Sequence, residues 1–329
     1  MSRILIVGDP HLKVSAQKSV ITFLNWIHSV VEMYRPDMVV NLGDTLHTHN
    51  VIRSEIMALI DNHTQVMNSF NIPYFILVGN HDMAHHKTPH IHAWLPYVNK
   101  YRNITIVDKP IFLDSGLAFS PYIDDPREFE SIFFSSKEYS LLFCHQEFLN
   151  ANFGFIISTK GVIIPPNARP MISGHIHKTQ QLQSVWYPGT PFAQEASDHN
   201  EIKGIYIYDT NDGSKLFIES PLPQWVTSRA TIATFNQTVE MMNKKNKNHL
   251  VVTGPNNELT ALVESREFQM LKREYGFTVK KDPTSHLKSS KSIRRVSTIE
   301  DAVVEYIDRI YDGTMDKTLL KEKCLRVLQ

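Results

Sequence analysis

The chain has 329 residues, with 34 basic and 34 acidic side chains, and 42% of its residues are hydrophobic. This length predicts more than one structural unit and a sizeable core, and the zero net charge argues against a protein that coats DNA through general basicity. The two cysteines, Cys144 and Cys324, allow no disulfide framework beyond one bridge, which fits a reducing cytosol.

The first hundred residues alternate between strand and helix patterns. Apolar runs at 3–7, 37–41 and 74–78 have the length of strands, and apolar residues recur at helical spacing over 19–34 and 54–70. This order predicts parallel strands joined by helical crossovers. No charged leader precedes the first run and no apolar run could span a bilayer, so we expect a cytoplasmic protein without a membrane anchor.

From residue 104 onward, short strands dominate the pattern, and one helix is expected near 126–135. The strands are predicted at 104–107, 111–113, 117–120, 140–144, 169–173, 181–186, 203–209 and 215–219. An α/β fold of two packed mixed β-sheets flanked by helices accommodates this order over residues 1–222.

A smaller α/β domain is predicted after Pro221 and Pro223, over residues 226–280. Its expected elements are strands at 229–233, 248–252 and 276–280 and a helix at 257–274.

Residues 281–296 are predicted to form a basic linker, and 297–329 a helical segment that docks on a partner. Ser297 and Glu300 have the spacing of a capping box at the start of that segment. Its apolar stripe consists of Ile299, Val303, Tyr306, Ile307 and Ile310. A second amphipathic stretch runs from Lys317 to the end.

Five short polar motifs each follow an apolar run. They are Asp9-Pro-His11, Gly43-Asp44, Gly79-Asn80-His81-Asp82, Cys144-His145 and Gly174-His175-Ile-His177. Because ligands of open α/β sheets bind beyond the carboxyl ends of the strands, these motifs are expected to converge. In an extended His-x-His, both side chains point the same way and can face one cluster. Mixed carboxylate and imidazole ligands suit Mn²⁺, Fe or Zn²⁺ and predict a two-metal site.

In this order, the motifs resemble the calcineurin-like metallophosphoesterase superfamily. Within it, Gly43-Asp-Thr-Leu-His47 resembles the SbcD-type nuclease subunit of the double-strand-break repair (SbcCD-like) complex. Tyr187-Pro-Gly-Thr-Pro191 and Lys203-Gly204 are also similar to that branch. The resemblance covers about residues 3–209 and implies a four-layer sandwich with a smaller C-terminal α/β capping domain and terminal helices.

The resemblance also implies roles for individual residues. One metal would be held by Asp9, His11, Asp44 and His177, and the other by Asp44, Asn80, His145 and His175. Asp44 would then bridge two divalent ions, expected to be Mn²⁺. His81 would stabilise the transition state or protonate the leaving oxygen, and His47 would position His81 or the scissile phosphate.

The function implied by the resemblance is a Mn²⁺-dependent DNA nuclease. It would act at double-stranded DNA ends as an exonuclease, with endonuclease cleavage as a second activity, in DNA repair and recombination. An ABC-type coiled-coil ATPase, the SbcC-like subunit, would be its partner, and helices near 51–70 and 85–100 would form a homodimer. The compact C-terminus favours a bacterial or bacteriophage version, which would work in the bacterial cell or in an infected host cell.

Two alternatives remain open. A phosphatase or cyclic-nucleotide phosphodiesterase could use the same metal core, although no Arg-Gly follows Asp44 and such an enzyme would not need residues 226–329. A non-catalytic scaffold should have lost ligands, and none is missing here.

Several polar residues near the motifs have simpler interpretations. Glu147 and Asp198 are expected to be surface or supporting groups, and Cys144 to lie in the core. A solvated loop is predicted for His85, His86, His90 and His92.

Overall fold

The structure is a computed structural model of the chain. It describes residues 2–49, 51–85, 88–135, 138–154, 156–194, 198, 200–283, 303–304, 307 and 316–328.

The first sheet has six strands. They are β1 (Arg3–Val7), β2 (Met38–Asn41), β3 (Tyr74–Leu77), β4 (Ile104–Val107), β11 (Gly204–Asp209) and β12 (Lys215–Glu219). Their order across the sheet is β12-β11-β1-β2-β3-β4. β1 to β4 are parallel, and β11 pairs with β1 in the antiparallel sense.

The second sheet also has six strands. They are β5 (Ile111–Phe112), β6 (Leu117–Ser120), β7 (Leu141–His145), β8 (Met171–Gly174), β9 (Gln180–Leu182) and β10 (Val185–Tyr187). Their order is β5-β6-β7-β8-β10-β9, with β6, β7, β8 and β10 parallel.

Helices cover the outer faces of both sheets. α1 (Gln17–Tyr34) and α2 (Ser54–Ser69) pack on the first sheet, and α3 (Pro126–Phe133) packs on the second. α1 ends at Arg35, which adopts φ 44°. The alternation of side chains along β1 explains the layers, because Leu5 and Val7 face the helices while Ile4 and Ile6 face the second sheet. This arrangement confirms the predicted α/β fold of two packed mixed sheets.

A third, parallel sheet follows. It contains β13 (Trp225–Thr231), β14 (Lys247–Gly254) and β15 (Thr278–Pro283), together with the helices α4 (Phe235–Glu240), α5 (Asn256–Glu264) and α6 (Arg266–Tyr275). Phe235, Leu250, Phe268 and Phe277 lie in a hydrophobic core of its own. The boundaries at residues 222 and 226 stay a prediction.

Two elements that were predicted to be continuous are each divided into two in the structure. The single strand at 181–186 is a hairpin of β9 and β10, because Gln183 adopts φ 51° and reverses the chain. The single helix at 257–274 is broken between α5 and α6 at Ser265, whose backbone is extended. The Ser265 hydroxyl accepts the N–H of Phe268 and so caps α6.

The C-terminal predictions lie mostly outside the described residues. β15 takes in 281–283 of the predicted linker, whereas 284–296, the Ser297–Glu300 capping box and Ile299, Tyr306 and Ile310 are not described. α7 (Lys317–Leu328) falls within the predicted docking segment. Among the helices described, none has both the length and the apolar character needed to cross a membrane.

Candidate metal centre

The polar motifs converge where strands of the two large sheets end. The side chains concerned are Asp9 beyond β1, Asp44 beyond β2, Asn80 and His81 beyond β3, His145 at the end of β7, and His175 and His177 beyond β8. Parallel pairing of β1 with β2 and of β7 with β8 aligns these carboxyl ends. The convergence therefore follows from strand order and not from contacts within any one loop.

Three ligand atoms gather around Nε2 of His145. This nitrogen lies 3.0 Å from Oδ1 of Asn80 and 3.3 Å from Oδ2 of Asp44, and Nδ1 of His175 lies 2.8 Å from the same Asn80 oxygen. Nδ1 of His145 donates to the carbonyl oxygen of Leu42 at 2.7 Å, because that oxygen can only accept. Nε2 is therefore the atom that His145 turns toward the other ligands.

His145 and Asp44 shift each other's pKa because their opposite charges lie close together in a buried site. Burial disfavours the imidazolium of His145, but the Asp44 and Asp9 carboxylates raise its pKa to about 9. Burial likewise opposes ionisation of Asp44, yet His145 and His11 hold the pKa of that carboxyl below its usual range. A divalent cation would take the place of the proton on Nε2.

A second set of ligand atoms lies on the other side of Asp44. Nε2 of His11 is 3.6 Å from Oδ2 of Asp44 and 3.0 Å from Nε2 of His177. Ligand atoms of His11, His47 and His81 also lie within 4.8 Å of one another, as do those of Asp44, His145 and His175. Oδ2 of Asp44 thus lies between two nitrogen-rich groups, as a bridging carboxylate would.

Asp9 tests whether these residues fit a cation. It is fully buried, and within the described part of the chain neither of its carboxylate oxygens has a hydrogen-bond partner. Burial raises the pKa of this carboxyl well above its usual value, although the charge of His145 opposes the rise. A buried carboxylate is costly unless a positive charge compensates it, so the residues fit a bound metal ion.

Three of the predicted ligands have a left-handed backbone. His11, Asp44 and His175 adopt φ angles of 43°, 46° and 79°. Residues other than glycine rarely adopt this conformation, and such strain clusters at functional sites. The expectation that His175 and His177 face one cluster from an extended His-x-His was therefore wrong in its backbone, since His175 is not extended.

His81 lies beside the ligand atoms, held through its main chain and its ring. Its N–H donates to Oδ1 of Asp44 at 2.7 Å, and its Nδ1 lies 2.9 Å from the carbonyl oxygen of His47. The His81 ring is 4.7 Å from that of His11 and stacks on His49 at 4.1 Å. Burial lowers the pKa of His81. The main chain of His47, more than its ring, sets the orientation of His81.

A family model described as calcineurin-like phosphoesterase matches residues 2–179, more than half of the chain. The chain belongs to this family. Protein 244L of Invertebrate iridescent virus 6, provisionally named a phosphoesterase, is 30% identical over 221 residues, which cover 64% of this chain and 77% of the relative. Protein 078R of Invertebrate iridescent virus 3, with the same provisional name, is 25% identical over 338 residues, covering 95% and 94%.

A phage protein and a solved structure extend the comparison. Exonuclease subunit 1 of Enterobacteria phage T4 is 26% identical to this phosphoesterase over 228 residues, which cover 66% of this chain and 67% of the relative. Nuclease MPE of Pseudomonas putida overlaps 65% of this chain and 87% of its own, with 14% identity and a TM-score of 0.30, which is too low to bear on function. Family membership makes the chain a metal-dependent phosphoester hydrolase.

Two further carboxylates, Asp82 and Glu147, support the centre of this phosphoesterase. Asp82 is buried and accepts the N–H groups of Gly79 at 3.0 Å and Leu46 at 2.9 Å, which ties the loops after β2 and β3 together. Oε2 of Glu147 lies 3.8 Å from Nε2 of His175, which leaves Nδ1 to face Asn80. Glu147 was predicted to be a surface or supporting group, and it is half-buried beside His175. Asp82 was given no role, although it lies inside the third motif.

None of the described histidines between residues 85 and 92, after the third motif, belongs to the two groups of potential metal-ligand atoms. His86 lies outside the described residues. The solvated loop predicted there was wrong for His92, which is buried with its Nε2 at 3.8 Å from Oδ2 of Asp108, and burial lowers its pKa. Cys144 is fully buried, which confirms its predicted place in the core.

Proposed function

We propose that this phosphoesterase is a Mn²⁺-dependent DNA nuclease that hydrolyses phosphodiester bonds at DNA ends. It acts as an exonuclease, with endonuclease cleavage as a second activity, and serves DNA repair or recombination together with an ABC-type coiled-coil ATPase. The observation that carries the proposal is the position of Asp44 Oδ2, 3.6 Å from His11 Nε2 on one side and 3.3 Å from His145 Nε2 on the other.

The donor set decides which ions suit the two groups. Asp9, His11, Asp44 and His177 would hold one ion, and Asp44, Asn80, His145 and His175 the other. Imidazole nitrogen mixed with carboxylate and amide oxygen suits Mn²⁺ better than Ca²⁺ or Mg²⁺, which favour all-oxygen sites. When bound, such ions neutralise charge on the phosphate oxygens and lower the pKa of a water molecule.

His81 is the residue that we assign to the leaving group. Its Nδ1 is engaged by the carbonyl oxygen of His47, so Nε2 is the nitrogen that can transfer a proton to the departing oxygen. The hydrogen bond from the His81 N–H to Asp44 fixes its distance from both ligand groups. His47 is assigned a positioning role on the same contacts.

A cavity beside the centre supports a nucleotide substrate over a small phosphate ester. It has a volume of about 260 Å³, and His47 forms part of its wall. Apolar side chains of Leu46 and Ile52 line it together with the cationic Lys13 and Arg53. Apolar surface can hold a sugar or base while the cations attract a neighbouring phosphate.

The phage relative also supports a nuclease function. Exonuclease subunit 1 of phage T4 is described by its name as part of an exonuclease with more than one subunit. Its similarity covers about two thirds of each chain. The family match over residues 2–179 contains all five motifs. The ATPase partner and a homodimer are proposed from the resemblance of Gly43-Asp-Thr-Leu-His47 to the SbcD-type nuclease subunit.

Cleavage of end-labelled linear duplex DNA with Mn²⁺ tests the proposal, with bis(p-nitrophenyl) phosphate as a small diester. We expect metal-dependent degradation of DNA that disappears in Asp44→Ala and with chelator. Hydrolysis of the small diester alone, with DNA intact even after an SbcC-type ATPase is added, would replace the nuclease with the phosphatase or cyclic-nucleotide phosphodiesterase alternative.

A further inference from the structure

Lys203 is a buried lysine close to the metal centre to which the proposed chemistry gives no role. Only 1% of its surface is exposed. A buried ammonium group is costly unless close partners compensate its charge. Nζ of Lys203 has three such partners, which are Oε2 of Glu201 at 2.8 Å, Oδ1 of Asp198 at 3.4 Å and the carbonyl oxygen of His177 at 2.7 Å. The lysine is therefore the centre of a polar network.

The first branch of this network holds the backbone of a proposed ligand. Lys203 donates to the carbonyl oxygen of His177, and Oε1 of Glu201 accepts the N–H of Thr179 at 2.7 Å. The Lys203–Glu201 ion pair thus holds the 177–179 segment at both ends. The side chain of His177 leaves this segment toward Nε2 of His11.

The second branch reaches the other proposed ligand. Oδ2 of Asp198 accepts the N–H of Gln194 at 2.8 Å, and Nε2 of Gln194 donates to the carbonyl oxygen of Pro10 at 2.6 Å. Pro10 lies between Asp9 and His11 in the chain. Both branches therefore end on the half of the centre formed by His11 and His177.

The other half has separate support. His145 is oriented by the carbonyl oxygen of Leu42, and His175 lies beside Glu147. The loops carrying Asp44 and Asn80 are tied together by Asp82. The contacts of Lys203, Glu201 and Asp198 described above lead to the half of the centre formed by His11 and His177, so loss of Lys203 should affect that half.

We propose that Lys203 is a positioning residue which, through Glu201 and the Asp198–Gln194 contacts, sets His177 and His11 to bind one of two divalent cations. The inference rests on the proposed two-metal function, because it assumes that these histidines are ligands. It does not depend on DNA being the substrate.

Mn²⁺ binding to the purified full chain tests this, by calorimetric titration without DNA. We expect two ions in the wild type. In Lys203→Met one ion should keep its affinity and the other should bind roughly 10- to 100-fold more weakly, the usual loss when a group supporting a metal ligand is removed. Lys203→Arg, which keeps the charge, should restore most of the affinity. Lys244→Met, at an exposed lysine paired with Glu274, is the matched control.

Double variants identify which ion is affected. Lys203→Met should weaken binding no further in a His177→Ala background, whereas its effect should add to that of Asn80→Ala. Equal weakening of both ions, or unchanged binding of both, would overturn the positioning role. If Lys203→Met does not fold, Gln194→Leu decides, because it removes only the bond to Pro10; unchanged affinity there would also overturn the proposal.

The titration and the DNA-cleavage assay together separate the two proposals. Binding of two ions with no cleavage of DNA would remove the nuclease function and leave the role of Lys203 standing. Binding of a single ion by the wild type would remove the two-metal centre and the role of Lys203 together.

Discussion

His11 and His177 present their Nε2 atoms to each other at 3.0 Å across a sequence separation of 166 residues. Two imidazole nitrogens this close need a proton or a cation between them, since two lone pairs would repel. Asp9, two residues before His11, is buried with no hydrogen-bond partner among the described residues.

Mn²⁺ should stabilise the folded chain. A ligand that binds only the native state at 100 times its Kd raises the free energy of unfolding by about 2.7 kcal/mol. Thermal melting with Mn²⁺ and with chelator measures this effect, with Asp44→Ala as the control that should lose it. Identical melting of the wild type in both conditions would argue against a filled centre.

His81→Ala should abolish cleavage without removing metal. Loss of a group that transfers a proton typically slows a reaction by about 10²- to 10⁴-fold, and His81 is not among the proposed ligands. Turnover of the small diester and metal content together measure the effect, and His90→Ala, outside the centre, is the control. Loss of one ion from His81→Ala would instead make His81 a ligand, in keeping with its closeness to His11 and His47.

Gly79→Ala should abolish Mn²⁺ binding because it displaces Asp44. A methyl group on Gly79 would overlap the Asp44 carboxylate and its backbone nitrogen, so the bridging position would be displaced. The matched control is Gly213→Ala, where φ is 73° and the methyl group would meet only the Tyr208 hydroxyl, at 3.7 Å. Both variants should lose stability, but only Gly79→Ala should lose Mn²⁺ in a titration; retention of both ions would contradict the geometry.

Acid should destabilise the packing of α1 on α2 through His63. This buried histidine has Nδ1 at 2.9 Å from Nε2 of His28, and burial lowers its pKa to about 3. Below pH 6.5 the unfolded chain binds a proton that the folded chain does not bind until about pH 3, so stability falls as the pH falls through that window. Between pH 7.5 and 5 this group should cost about 2 kcal/mol.

Urea unfolding at the two pH values measures this loss. His63→Gln should show a smaller fall in stability than the wild type, and His90→Gln, at an exposed histidine, should show the same fall as the wild type. An equal fall in the free energy of unfolding for all three chains would assign the acid sensitivity to other groups.

Removal of residues 297–329 should separate cleavage from partner binding. The proposed metal centre lies entirely before residue 178, so the truncated chain should keep its basal hydrolysis of the small diester and of DNA. Binding to an SbcC-type ATPase, measured by co-purification and calorimetry, should be lost. Unchanged affinity would place the docking surface elsewhere.

The sequence was most informative where local pattern and chain topology agree. β1 was predicted at 3–7 and is observed there because its alternating apolar side chains fill both neighbouring layers. The meeting of Asp9, Asp44 and Asn80 could also be predicted, because parallel strands with helical crossovers bring their carboxyl ends to one edge.

Two kinds of feature could not be predicted. The left-handed backbone of Gln183 and the extended backbone of Ser265, which caps α6, are properties of single residues that the spacing of apolar side chains does not reveal. His92 and Lys203 both look like surface residues in the sequence, and both are buried because a partner from elsewhere in the chain lies next to them.

The left-handed backbones of His11, Asp44 and His175 place stability and activity in conflict at these positions. Each costs about 1 to 3 kcal/mol relative to a relaxed conformation, and glycine would remove that cost together with the ligand. Substitutions to glycine at these three positions would therefore make the chain more stable and inactive. A search for stabilised variants that does not also assay activity would favour the loss of the centre.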